Sequence, residues 1–587
     1  MTKDPAKPKK EDPTPASIDE RDALLAKPSG LARSSAIMFA GTLTSRALGF
    51  LRSALLLAAI GGFGASDAFN AANTLPNTIY NLLAGGVLSA ILVPQIVRSL
   101  RGRKAGDREG EDAVNALLTL AAIILLAITV LSVLGASILI TLYNAGLDPE
   151  FHRLAVIFAI WCLPQIFFYG TYALLGQVLN AHSVFGPYMW APVLNNVIAI
   201  AGIGIYVGLF GFTGPATIDT ALWTFDRVAI LAGSATLGVV MQALVLLIPL
   251  KRLGFHLRIN TKFKGHGLKR AGKVAGWAFA ALLVGQLGYL AVTNTAAAAN
   301  GWGVANDQFV PATTIYATAY MIYMLPQSLI TTSITTALFT GMAMKAAAND
   351  TQAVSADYSR GARIIGIFTV FSAAFFVVAS VPIAQLIGPR LPVEQALGMA
   401  KVLAIMSLGI AFQGLFSLNN RVFYAFEDTR TAFFTQIPLS VITIAGALLS
   451  VYFLPADWWV GGAVGADALG TAAAALTGFY LLHQRGVTTQ VFRSIAKTYG
   501  LLLIGVLPPS LAAWALLAWW GPVSHDPQWI SHIGETGAHF CGALARCAAV
   551  GVLMLVVYFL TLLVLRLPEL RSLKDLRRPG TTNSTQK

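Results

Sequence analysis

Fourteen stretches of twenty or more mostly apolar residues recur along this chain, at 34–60, 69–97, 114–143, 152–180, 186–210, 224–250, 271–295, 310–342, 364–388, 396–426, 430–454, 458–482, 498–521 and 542–566. About 20 such residues cross the hydrocarbon of a bilayer as an α-helix. Each run is continuous rather than alternating and about twice the length of a barrel strand, so helices follow and a β-barrel does not. With 56% hydrophobic and 12% charged residues and a mean hydropathy of +0.67, the chain of 587 residues lies outside the soluble globular range. The sequence specifies an all-α polytopic membrane protein of about fourteen transmembrane helices.

The formal net charge of +14 reflects topology rather than nucleic-acid binding. With an even span count both termini share a side, and 34 of the 41 Lys and Arg fall on that side: in 1–33, 98–108, 251–273, 345–363, 421–430, 485–497 and 566–587. The positive-inside rule then places both termini in the cytoplasm, with anionic lipids as surface partners. Residues 1–30 are rich in Pro, Lys and acids without periodicity, which predicts a disordered cytoplasmic tail. The first apolar run begins too late and is too long for a signal-peptide core, so the first span is expected to be retained. Cys162, Cys541 and Cys547 form no C-x-x-C and read as packing residues. No metal site and no cofactor are expected, and no G-x-x-x-x-G-K-[ST] for ATP is present in the sequence.

Two internal matches suggest duplication. "LPNTIYNLLAGG" from Leu75 and "LPQSLITTSITT" from Leu325 stand 250 residues apart, and "GQVLNAHSVFGP" from Gly176 and "NRVFYAFEDTRT" from Asn420 stand 244 apart. Parallel repeats of six helices produce such offsets and place a substrate path between the bundles. The expected order is a tail (1–30), a first lobe (31–250, spans 1–6), a basic cytoplasmic linker (251–270), a second lobe (271–484, spans 7–12), an extra helix pair (485–566, spans 13–14) and a cytoplasmic tail (567–587). The linker "KRLGFHLRINTKFKGHGLKR" is a poor amphipathic helix; it lies on the inner leaflet or is solvated.

Arg46 and Arg52 fall inside the first span. A central arginine costs about 2.5–3.5 kcal/mol to insert, so the pair is expected to face protein or water. Arg46 is about twelve residues, roughly 18 Å, from the start of its run, beyond the reach of snorkelling. The two side chains sit about 120° apart around the helix, with Gly49 between them as a place for a bend. They mark either a functional cavity or a structural ion pair. In span two, Asn73, Asn77, Asn81, Gly85 and Ser89 recur every fourth residue, a polar and small face that either lines the same cavity or packs helices. Asp67, just before it, is placed to pair with Arg52 as an outer gate or to cap the helix. No histidine falls in a span interior, which speaks against a histidine proton relay, and Asp467 reads as a helix end drawn too early.

"SRALGFLR", "GASDAFNAANTLPN", "GGVLSAILVPQ", "LLGQVLNAHSVFGPYMWAPVLNN" and "RVFYAFEDTRT", in this order over residues 31–566, resemble the MviN/MurJ lipid II flippases of the multidrug/oligosaccharidyl-lipid/polysaccharide exporter superfamily. The resemblance implies a V-shaped pair of six-helix lobes working by alternating access, plus two helices that form a groove for a polyprenyl tail. It implies that Arg46 and Arg52, with Ser45, engage a substrate diphosphate, and that Asp67 is the acid at the outer mouth. Three positions depart from the family: Ser53 replaces an acid, Tyr80 and Gly85 stand where span two carries a basic residue and a glutamate, and Met321 stands near the span-eight arginine. Either Asn77, Asn81, Tyr80, Tyr320 and Gln327 supply neutral donors, or the headgroup sits differently. Arginine suits a diphosphate because its planar, always-charged fork binds phosphate oxygens bidentately.

The implied function is transfer of lipid II from the inner to the outer leaflet in the bacterial plasma membrane, driven by potential or an ion gradient. Alternatives are export of another polyprenyl-linked saccharide, or a scaffold recruiting cell-wall synthesis proteins as partners. A polyprenyl-linked enzyme would need carboxylates or a histidine grouped at one membrane face, which these short loops lack. Two cavity arginines oppose a carrier of cations.

Overall fold

The computed structural model describes residues 28–83, 108–182, 184–213, 219–261, 272–521 and 535–565. Residues 1–27 of the first expected tail, the whole of the second, Gly85, Ser89 and the rest of span two, the basic segment 98–107 and the second half of the linker lie outside these residues, and positions 28–30 of the expected tail are already the start of the first helix. The helices are α1 (Pro28–Ile60), α2 (Ala65–Leu83), α3 (Arg108–Leu134), α4 (Ala136–Tyr143), α5 (Pro149–Cys162), α6 (Gln165–Ala181), α7 (Gly186–Phe210), α8 (Phe225–Leu244), α9 (Leu247–Arg252) and α10 (Gly272–Ala305). They continue as α11 (Thr313–Pro326), α12 (Thr332–Ala347), α13 (Thr351–Val378), α14 (Ser380–Ile387), α15 (Val393–Ser407), α16 (Ile410–Ala425), α17 (Thr429–Phe453), α18 (Trp459–Gln484), α19 (Thr489–Trp520) and α20 (Glu535–Val564).

Among the described residues, eleven segments are long and apolar enough to cross a membrane, or twelve if α15 and α16, bent by 44°, count as one. The expected count of fourteen is therefore not reached on these criteria. The two missing are α2, whose continuation lies outside the described residues, and α11–α12. Both carry polar side chains that face a cavity between the halves rather than lipid. Elsewhere apolar side chains point outward: Leu131 is 68% and Leu134 80% exposed on α3. Side chains of this kind in such number belong against acyl chains.

The duplication is visible in the packing. In the first half α1 lies on α7, α7 on α8, α2 on α5, α3 on α6 and α6 on α8. In the second, α10 lies on α17, α17 on α18, α11 on α15, α13 on α16 and α16 on α18, the same neighbours in the same order. Among the described residues, the pair α19 and α20 packs on α13 and α14 of the second half. Leu75–Pro76 of α2 and Leu325–Pro326 of α11 occupy matching helices. Proline removes a backbone donor, and behind Pro326 the helix widens into a π-turn at Gln327–Thr331.

Small residues set the close contacts of α1. A Cβ on Gly41 would come within 3.0 Å of Trp190, and Asn196 of α7 donates from Nδ2 to Ser45 O at 2.9 Å and to Ser45 Oγ at 3.4 Å. Gly49 also faces Asn196, whose amide a Cβ there would meet at an ordinary contact distance of 4.0 Å, and α1 runs through it as one continuous helix. Asp467 is a further correction. It is the ninth residue of α18, well inside the helix, because Trp459, not a later residue, begins the α-helical turn.

The described part of the linker is held on the first half by hydrogen bonds to α3. Asn115 of α3 donates to His256 O at 2.9 Å and accepts from Arg258 N at 3.1 Å, while Asn260 N donates to Thr119 Oγ at 3.1 Å and its amide to Asp112 O at 2.9 Å. Residues 255–260 thus lie along the first turns of α3, with Phe255 buried.

Candidate functional site

Between the halves lies a cavity of about 320 Å³. Helix α2 contributes Asn70, Thr74, Asn77 and Asn81, at i, i+4, i+7 and i+11, a single helical face. Facing it are Gln286, Tyr289 and Thr293 of α10, Thr313, Tyr316 and Tyr320 of α11, and Tyr143 and Asn144. Every polar residue in this lining is an amide or a hydroxyl and none is charged. Such a surface hydrogen-bonds neutral hydroxyl-rich groups, with aromatic rings to stack on them.

The cavity is shut at the end where the turns 61–64, 144–148, 306–312 and 388–392 meet. Asp67 is fully buried there and accepts from Gly64 N at 3.0 Å, from Asn300 Nδ2 at 2.8 Å and from Thr314 N at 2.6 Å. The last two donors belong to the second half. Asn70 Nδ2 donates to Thr314 Oγ, which in turn donates to Ser66 Oγ, both at 3.1 Å. Asp67 is thus both a local cap and a latch between halves; among the described residues it makes no ion pair with Arg52. Alongside it, a Cβ on Gly146 would come within 2.4 Å of Ala298 Cα, a backbone atom that cannot step aside. Gly146→Ala is therefore expected to hold this end ajar and cut transport, with spin labels at Phe225 and Val393 reporting a longer separation than in the wild type.

The two arginines part company. Arg52 lies beside Tyr169 and Cys162, inside the first half. Arg46 belongs to another stripe of α1, with Phe50, Ser53 and Leu57 at i+4, i+7 and i+11. Those three meet the second half: Phe50 and Leu57 pack in its core, and Ser53 Oγ donates to Met321 Sδ at 3.4 Å. Arg46 is the next member of that stripe, about 10 Å further from the latch, and it is exposed. The halves therefore touch at Ser53 and separate at Arg46.

The remaining expected residues divide between the cavity and the lobe interiors. Asn77, Asn81 and Tyr320 line the cavity. Asn73 is rotated back about 40° from Asn77, since four residues overshoot a helical turn. It faces the first half, accepting from Gln165 Nε2 at 3.4 Å. Tyr80 packs its ring on Tyr169 at 5.8 Å, and Gln327 donates to Ser417 Oγ at 2.6 Å within the second half. Ser45 is engaged with Asn196. Sequence reasoning missed Asn70, Thr74, Asn144, Gln286, Tyr289, Tyr316, Asn300 and Thr314. Their signal was present as polar groups at helical spacing in apolar runs, Gln286–Tyr289–Thr293 and Tyr316–Tyr320, without charge to draw notice.

Two like helical halves with apolar outer surfaces, meeting around a polar cavity latched at one end, define a polytopic membrane carrier. Residues 57–532 match the family described as lipid II flippase MurJ, most of the chain, and the chain belongs to that family. It is 28% identical over 431 residues to a probable lipid II flippase MurJ of Synechocystis, covering 72% of this chain and 76% of that protein. To the lipid II flippase MurJ of Burkholderia cenocepacia it is 27% identical over 414 residues, covering 68% and 75%. The fold is similar to a solved lipid II flippase MurJ in an inward closed conformation, with TM-score 0.65 and 18% identity over 92% of this chain and 100% of that one. A multidrug resistance MATE family transporter of the MOP superfamily, inward-facing, gives TM-score 0.58 and 16% identity over 75% and 94%.

Proposed function

We propose that this protein moves lipid II, the polyprenyl-diphosphate-linked peptidoglycan precursor, from the inner to the outer leaflet of the bacterial inner membrane by alternating access. Family membership carries the substrate, and the stripe Arg46–Phe50–Ser53–Leu57 carries the direction of access. With the basic segments and both termini in the cytoplasm, the latched end is the outer one and Arg46 lies on the inner approach. Arg46 takes the diphosphate there, and the uncharged cavity above takes the sugars and the peptide. At about 320 Å³ the cavity is near the lower bound of roughly 300 Å³ for ligand pockets, so the whole headgroup enters only as the halves separate. Arg52, half-buried beside Tyr169 and Cys162 of the first half, adds positive potential rather than a direct contact. An outward-moving anion gains about 2.3 kcal/mol per charge per 100 mV from an inside-negative potential, which suffices without ATP. Anionic lipids attend the basic inner face, and cell-wall synthesis proteins are the expected protein partners.

The test is reconstitution of the purified protein in liposomes with fluorescent lipid II under an imposed potential. Appearance of the label in the outer leaflet supports the reading; no movement beyond protein-free vesicles removes it. Membrane-impermeant labelling of cysteines placed at Asn306 and Ala348, exposed turns at opposite ends, checks the orientation: only the first is to react in intact cells.

A further inference from the structure

A carboxyl deep within the second half has no role in the cavity or its latch. Asp467 of α18 is half-buried and accepts from Thr443 Oγ of α17 at 3.2 Å. Tyr316, Tyr320 and Tyr323 of α11 all lie within electrostatic reach of its carboxyl. The first two also line the cavity, so the charge of Asp467 is felt at its wall although the residue itself is not part of the lining. The other helices packed on α18 bring no counter-cation. Helix α10 offers Tyr289, which faces Tyr316 and Tyr320. Helix α15 offers Lys401, held by Asp457 at 2.8 Å, and α16 has Arg421 and Tyr424 in its last turns, where Arg421 lies over the Phe339 ring. The charged residues of α17, Arg430 and the capping Asp428, are at its start, more than three turns from Thr443. Among the described residues Asp467 has no ion pair, and no group of three metal-binding side chains occurs.

A carboxyl at membrane depth with hydroxyl neighbours and no cation has one ready partner, a proton from cavity water. We propose that Asp467 is a proton-binding site whose occupancy sets the orientation of the cavity tyrosines Tyr316 and Tyr320. As a carboxylate it accepts from tyrosine hydroxyls of α11 as well as from Thr443, and draws those hydroxyls out of the cavity. As a carboxylic acid it carries its own O–H, donates it to a neighbouring hydroxyl oxygen, and releases the tyrosines toward the cavity. The exchange makes or breaks one O–H bond on Asp467, the proton coming from or returning to water, with no other reactant. Because substrate groups compete for the same hydroxyls, proton and substrate occupancy are linked, and the linkage is reciprocal.

The wild type and Asp467→Asn, in lipid nanodiscs without substrate, are compared by infrared difference spectroscopy between acidic and alkaline buffer. The wild type is expected to show a carboxylic-acid carbonyl band that titrates and that the asparagine variant loses. If the asparagine variant does not fold, Thr443→Val serves instead: it keeps the carboxyl and should move the midpoint. In liposomes, wild-type lipid II transport should change by about fivefold or more across that titration, and transport by Asp467→Asn should be flat. Coincident spectra, an unmoved midpoint in Thr443→Val, or a band removed by sodium at constant pH would each overturn the proposal. The infrared arm contains no substrate, so its result is independent of the lipid II reading, and only the transport arm rests on it.

Discussion

Arg46→Ala is expected to cut lipid II transport in reconstituted liposomes by roughly 30-fold or more, with insertion, localisation and thermal stability retained. The size follows from truncating one partner of a desolvated charge pair, about 2–5 kcal/mol at an interface, where each 1.4 kcal/mol is tenfold. The intact fold follows from exposure: Arg46 is exposed, whereas Phe50 and Leu57, one and three turns on, pack in the core of the second half. Arg46→Lys should recover only part of the rate, since an ammonium is a point charge without the bidentate fork. Full transport by Arg46→Ala would show that the diphosphate binds elsewhere. Lost transport with lost localisation would place the residue in folding instead, and lost transport with intact localisation also separates a carrier from a scaffold.

The second large effect belongs to the latch. Asp67→Ala leaves Asn300 Nδ2 and Thr314 N, both from the opposite half, without their acceptor. Each buried donor left unpaired costs about 1–3 kcal/mol. The closed outer end is thereby weakened by roughly 2–6 kcal/mol, against about 5.5 kcal/mol needed to invert a 99:1 population. Spin labels at Phe225 and Val393 should reveal a longer-distance population that is absent in the wild type. Transport should fall, because a carrier that cannot close outside loses the inward-facing state. An unchanged distance distribution would mean that the glycine contact at Gly146 and Ala298 holds the gate by itself. In Asp67→Asn the amide accepts through one oxygen only and sets an N–H against a donor, so its shift should be intermediate.

The residues that sequence reasoning found and those it missed differ in kind. Charge at membrane depth is conspicuous, so Arg46, Arg52 and Asp67 stood out at once. Uncharged donors such as Gln286, Tyr289 and Tyr316 cost little to insert and do not interrupt an apolar run. Asn70 and Asn73 are three residues apart on one helix, yet Asn70 reaches the second half through Thr314 while Asn73 meets Gln165 inside the first. A carboxylate is so unfavourable in lipid that the linear pattern at Asp467 reads as a helix end, but in the fold it accepts from Thr443 of α17 and lies within electrostatic reach of the α11 tyrosines.

What the chain determined by itself is the helical class, the near-even spacing of its spans, the duplication and the concentration of positive charge on one face. These are local properties: a backbone in hydrocarbon must satisfy its own hydrogen bonds within each segment, and apolar length and flanking charge record that requirement residue by residue. Only the tertiary structure decided which faces of α1, α2 and α11 look into the cavity, that the two arginines diverge, and that Asp67 joins the halves instead of pairing with Arg52. Those outcomes depend on the angle at which two separately formed bundles meet, and a few tens of degrees of helix rotation, invisible in a linear pattern, send a side chain to the cavity, to the lobe interior or to lipid.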